Sequence, residues 1–100
     1  MNGYPELLKS VNALASELQG LQAVAVAQYT PLVETLIATG SRDVQQIEWT
    51  LDGLLDFCSH GPALHLYRRL CRHYFAIDPV ATASYINAYR EMWDSDEELA

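Results

Sequence analysis

Cysteine is scarce in this chain: Cys58 and Cys71 are the only two. Two thiols cannot form the disulfide framework of a secreted miniprotein. No apolar run approaches the roughly 18 residues of a membrane span, so an integral helical membrane protein is excluded. The opening Met-Asn-Gly-Tyr-Pro-Glu holds neither the charged nor the apolar region of a secretion signal. The expectation is a cytoplasmic chain with reduced thiols. Glycine-rich phosphate loops, G-x-S-x-G and H-E-x-x-H are all missing, and with them the chemistries they carry. Lysine occurs once, as Lys9, and six basic residues stand against 13 acidic ones. That balance gives little to a phosphate backbone.

What is present fits one small domain. The chain has 100 residues, half of them hydrophobic, which argues against disorder. Surface scaling gives roughly 5,700 Å² folded against roughly 16,200 Å² unfolded, enough burial for one modest core. The net charge of −7 is uneven. Glu91, Asp94, Asp96, Glu97 and Glu98 fall within eight residues that contain no base. The reading is a helical domain over 1–93 and a solvated acidic tail over 94–100.

The punctuation predicts five helical pieces. Pro5 suits a first helical turn. From there Leu7, Val11, Leu14, Leu18, Leu21, Ala25 and Gln28 alternate in steps of four and three, a heptad seam of about three repeats. Pro31 is expected to end or kink this helix, Thr30 to cap a second one to about Thr39, and Gly40 to stop it. Ser41 or Asp43 opens a third helix, whose Val44, Ile47, Leu51, Leu54, Leu55 and Cys58 share one arc. Asp52-Gly53 suits a tight β-turn. A hairpin there would set Trp49 against Asp56 and Glu48 against Phe57, mixing charge and large apolar groups on each face, so the helix is preferred. Gly61-Pro62 opens a fourth helix to about Ile77, and Asp78-Pro79 a fifth to about Trp93. The fold class is all-α: a single small bundle with a long N-terminal helix and an antiparallel helix hairpin.

The fourth piece carries the densest pattern. His65, Arg68, Arg69, Arg72 and His73 cover an arc of about 140°. They could recognise a phosphate or carboxylate. Equally, they could pair with Glu48, Asp52 and Asp56, which form a stripe on the third piece at four-residue steps. In an antiparallel hairpin Asp56 comes level with His65, Asp52 with Arg68 or Arg69, and Glu48 with Arg72. Helix, glycine turn and basic helix also outline a helix-turn-helix, against which stand the charge balance and the acidic tail.

Cys58-x-His60 and Cys71-x-His73 repeat a possible ligand pair, but residues two apart on a helix point about 200° apart, so no metal site is expected. Catalysis by Cys58 with His60 or His65 lacks a local base and oxyanion site. In the fifth piece Tyr85, Tyr89 and Trp93 stack at four-residue steps, and Trp49 lies off the apolar arc of the third. Both suit a core edge or an interface. The expectation is a non-enzymatic protein acting through protein–protein contact and associating with itself, as a homodimer through the first helix or the aromatic face. The contact surface expected is Arg68, Arg69, Arg72, Trp49, Tyr89 and Trp93. No cofactor, metal, membrane or small-molecule substrate is expected. The alternative is a nucleic-acid-associated accessory protein using the basic face of the fourth piece.

Overall fold

Helix boundaries follow local chemistry in the computed structural model, which describes residues 3–93. Four helices make up the described chain: α1 Gly3–Ala38, α2 Val44–Leu55, α3 Gly61–Phe75 and α4 Pro79–Trp93. The class is all-α, as expected. The predicted tail, 94–100, lies outside the described residues.

Pro31 does not end the first helix. It lies inside α1, so the first two predicted pieces are one helix and Thr30 is not a cap. A mid-helix proline costs about 3 kcal/mol, through a lost hydrogen bond and a clash. Two features offset it. Pro31 and Ala27 are exposed, so the Ala27 carbonyl left without an N–H donor can be solvated. On the opposite side Val33 and Leu36 are buried, and each contributes roughly 1.5–3 kcal/mol. The Thr30 hydroxyl donates to the Val26 carbonyl at 2.6 Å instead of capping.

The remaining boundaries fall where the punctuation puts them. Gly40 has φ 59°. The Gly40 N–H donates to the Ile37 carbonyl at 3.1 Å and the Ser41 N–H to the Leu36 carbonyl at 2.9 Å, a Schellman stop. Asp43 caps α2, accepting from the Gln46 N–H at 3.2 Å. Pro62 stands in the first turn of α3. Asp78 caps α4, accepting from the Ala81 N–H at 3.0 Å.

Helix α3 is central and packs against each of the other three. The Tyr74 hydroxyl in its last turn donates to Glu48 near the start of α2, so α2 and α3 run antiparallel across residues 56–60. The core gathers Val33 and Leu36 of α1, Ile47, Leu51 and Leu54 of α2, and Leu66, Tyr67, Leu70 and Tyr74 of α3. At Gly53, in mid-α2, the Tyr29 side chain of α1 packs against the helix. A Cβ there would lie 2.0 Å from the Tyr29 hydroxyl oxygen.

The bundle covers only part of α1. Ala25 is its first described buried residue. The Gln22 side chain reaches Ser59 at 3.4 Å. Before Gln22 every described side chain of α1 is exposed. From Lys9 to Leu21, roughly 20 Å of helix, the described side chains therefore project as an arm clear of the bundle. The radius of gyration is 17.0 Å, against about 13 Å for a compact domain of this length.

Candidate interaction surfaces

Helices α3 and α4 enclose a groove of about 490 Å³. Tyr67, Cys71 and Thr82 form its buried floor, and Leu64, Phe75, Ile86 and Tyr89 its walls. Arg68, Arg72 and Arg90 stand among the lining side chains, and all three are exposed. The spacing explains the grouping: residues 64, 67, 68, 71, 72 and 75 form one stripe along a helix. Arg68, Arg72 and Tyr89 of the expected contact surface therefore come together.

Arg69 does not join them. It sits about 100° round the helix and forms an ion pair with Glu34 of α1. The guanidinium lowers the pKa of Glu34, and the carboxylate raises that of Arg69. Such an exposed pair fixes register more than stability.

The acidic stripe of α2 meets tyrosines rather than arginines. Glu48 accepts from the Tyr74 hydroxyl, and Asp52 lies beside the Tyr85 phenol and helps raise its pKa. The expected pairing of Glu48 and Asp52 with the arginines is thereby corrected. The helices align near the expected level, but α3 turns Tyr74 towards α2 and its arginines away. Burial, then the neighbouring carboxylate, raises the pKa of both phenols. The Tyr67 hydroxyl donates to the Tyr85 carbonyl at 2.6 Å, and its ring lies 6.3 Å from that of Tyr89. These tyrosines weld α3 to α4, with α2 behind them.

The two tryptophans differ. The Trp93 indole N–H donates to the Leu55 carbonyl at 2.8 Å, so it ties the end of α4 to the end of α2. Trp49 is 58% exposed, with its ring 6.2 Å from that of Tyr29. It lines a second groove with Leu32, Asp43, Gln45 and Gln46. Because α1 continues through Pro31, the heptad seam gains Leu32, four residues beyond Gln28. Sequence reasoning missed Leu32, since it stopped the helix one residue earlier. Of the seam, Leu14 is 59% and Leu21 is 62% exposed. The side chains of Leu7, Val11 and Leu18 lie outside those described.

Cys58 and Cys71 are buried free thiols. Desolvation pushes Cys58 up to about 12 and Cys71 up to about 11, and the Cys58 thiol donates to the Leu54 carbonyl at 3.3 Å. Neither is a ready nucleophile. His73 Nε2 lies 2.8 Å from the Ser41 carbonyl oxygen, a contact in which the ring nitrogen donates. Among the described residues no group of three or more His, Cys, Asp or Glu could hold a metal ion. No helix among them is long and apolar enough to cross a membrane.

Sequence comparison with protein families and with curated proteins, and comparison with solved structures, gives no match.

Proposed function

We propose that this protein is a non-enzymatic interaction protein that associates with itself through α1. The observation that carries this reading is the arm. Leu14 is 59% and Leu21 62% exposed on it, at heptad spacing. From Leu18 to Val33 α1 contains no Asp, Glu, Lys, Arg or His. An exposed helical face that long and that free of charge suits burial against a partner helix. The burial of Cys58 and Cys71 removes the two strongest nucleophiles from reach, in keeping with a binding role.

Light scattering on the eluting chain tests the reading. The native protein is expected at twice its 11.2 kDa chain mass. The double variant L14E/L21E is expected at one chain mass with its helical circular dichroism kept. A native chain that stays monomeric at high micromolar concentration contradicts the reading.

The α3–α4 groove supports a second, nucleic-acid-associated reading. Arg68 and Arg72 form no ion pair with a described residue, and three arginines surround one groove. Binding to DNA or RNA that weakens steeply with salt, and is lost in R68E/R72E, would favour it. A flat salt response would exclude it.

A further inference from the structure

We propose that the α3–α4 groove is a docking site for an acidic peptide segment of another protein, which sets a large apolar side chain on the groove floor and carboxylates against Arg68 and Arg72. The proposal is independent of self-association through α1.

The floor is the first observation. Tyr67, Cys71 and Thr82 are buried beneath the groove. The protons of both floor hydroxyls are already committed. The Tyr67 hydroxyl donates to the Tyr85 carbonyl at 2.6 Å, and the Thr82 hydroxyl donates to the Asp78 carbonyl at 2.8 Å. A carboxylate, phosphate or carbonyl oxygen pressed onto this floor would lose its water and find no hydroxyl proton in exchange. An apolar side chain has no such need. Above the floor, Phe75 of α3 and Ile86 of α4 are exposed large apolar side chains on the same groove. A third apolar group set between them would take all three out of water.

Charge is the second. Among the described residues no acid lines the groove. Three of the chain's six basic residues do, in a chain of net charge −7. Arg68 and Arg72 lie one turn apart on α3, about 6 Å along its axis. Neither forms an ion pair with a described residue. Arg69, which lies between them in the chain, is turned away to Glu34. Arg90 adds positive charge from α4. Arginine holds carboxylates in bidentate geometry. Cations spread along an apolar trough match a chain with several carboxylates around an apolar residue. A ligand with a single acid group would leave part of this charge unmet.

Size agrees with a short segment. From Leu64 to Phe75 the α3 lining spans about 16 Å, the length of about five extended residues. A nucleic acid would satisfy the arginines too. Its phosphates gain nothing from Phe75 and Ile86, however, and the acidic chain repels a long polyanion.

Selection from a random peptide library displayed on phage, against the full native chain, tests the proposal. The peptides expected to be enriched carry a large apolar residue flanked by Asp or Glu. One of them, made synthetically, is then titrated by fluorescence anisotropy against the native chain and two double variants, R68Q/R72Q and F75S/I86S. All four positions are exposed, so both variants are expected to keep the native circular dichroism. Each is expected to bind the peptide about tenfold more weakly or worse. No enrichment, enriched peptides without acids, or binding that weakens in only one variant or in neither would overturn the proposal. A random-sequence DNA duplex is titrated alongside. Duplex binding that weakens in R68Q/R72Q alone, with no acidic peptide enriched, would assign the groove to nucleic acid instead. Nuclear magnetic resonance of the free native chain and R68Q/R72Q covers the remaining occupant. Shifted amide signals at residues 94–98 in that variant would assign the groove to the chain's own acidic run and overturn the partner. None of these outcomes bears on the mass of the native chain, so this proposal and self-association fail separately.

Discussion

Replacing Gly53 by alanine puts the packing of α1 on α2 to a test of sign. In a solvent-facing helix interior, Gly→Ala stabilises by about 1 kcal/mol through backbone entropy. At Gly53 the new methyl would lie 2.0 Å from the Tyr29 hydroxyl oxygen and 2.7 Å from its Cζ. Both are far inside van der Waals contact, and the ring is rigid, so the whole Tyr29 side chain must swing away. It would leave its place against Trp49, 6.2 Å from ring to ring. Overpacking of this kind costs about 1–3 kcal/mol. Set against the helix-propensity gain, G53A is expected to be destabilising by up to about 2 kcal/mol. Gly20 in α1 is the control. A Cβ there meets nothing within 4 Å, so G20A is expected to stabilise by about 1 kcal/mol. In a Y29A background the obstacle is gone, and G53A is expected to stabilise as well. The assay is urea unfolding of the four variants and the native chain at one fixed protomer concentration, since association shifts apparent stability. A stabilising G53A in the native background, or a double-mutant coupling near zero with Tyr29, would refute the close approach.

Three further predictions concern the core and its titratable groups. With Cys58 pushed up to about 12 and Cys71 up to about 11, both thiols are expected to alkylate at pH 8 at least roughly a hundredfold more slowly than a free cysteine; mass spectrometry of timed iodoacetamide reactions checks this, and rapid labelling would contradict it. Both thiols and the Tyr67, Tyr74 and Tyr85 phenols have raised pKa values in the fold, so the unfolded chain loses these protons first as pH rises. These five groups are therefore expected to leave stability level from about pH 6 to about pH 8 and to lower it from about pH 9 upwards, by about 1.4 kcal/mol per pH unit for each group ionised only when unfolded; urea midpoints that rise from pH 9 upwards would contradict it. The W93F variant loses the indole bond to the Leu55 carbonyl and is expected to be less stable by about 0.5–1.5 kcal/mol, read as a lower urea midpoint with an unchanged slope.

The sequence signals that carried over are those whose physics is local. Asp43, Gly61-Pro62 and Asp78-Pro79 each satisfy a helix end within a few residues, and Gly40 needs only its own positive φ. The Asp52-Gly53 pair misleads towards a turn if read alone, but the apolar arc around it decides for helix, and Tyr29 accounts for the glycine. Pro31 was misread because its cost is local while the compensation is tertiary. Nothing in residues 28–34 says that Val33 and Leu36 will be buried by α2 and α3. The arginine cluster shows the same limit. Helical rotation already separates Arg69 from Arg68 and Arg72, yet its partner Glu34 lies 35 residues away on a helix thought to be broken. The acids of α2 were visible as a stripe, but the rotation of α3 and the placing of α4 assign them to Tyr74 and Tyr85. Trp93 carries an interface signal, and in the fold its indole bonds the Leu55 carbonyl while the residue stays 39% exposed. Trp49 lay off the apolar arc of its helix, and it is exposed.

The most direct test of the central claim is sedimentation equilibrium of the native full chain across a wide concentration range. Self-association through α1 predicts a mass that rises from one chain to two and stops there. A mass of one chain at every concentration up to the high micromolar range would contradict it.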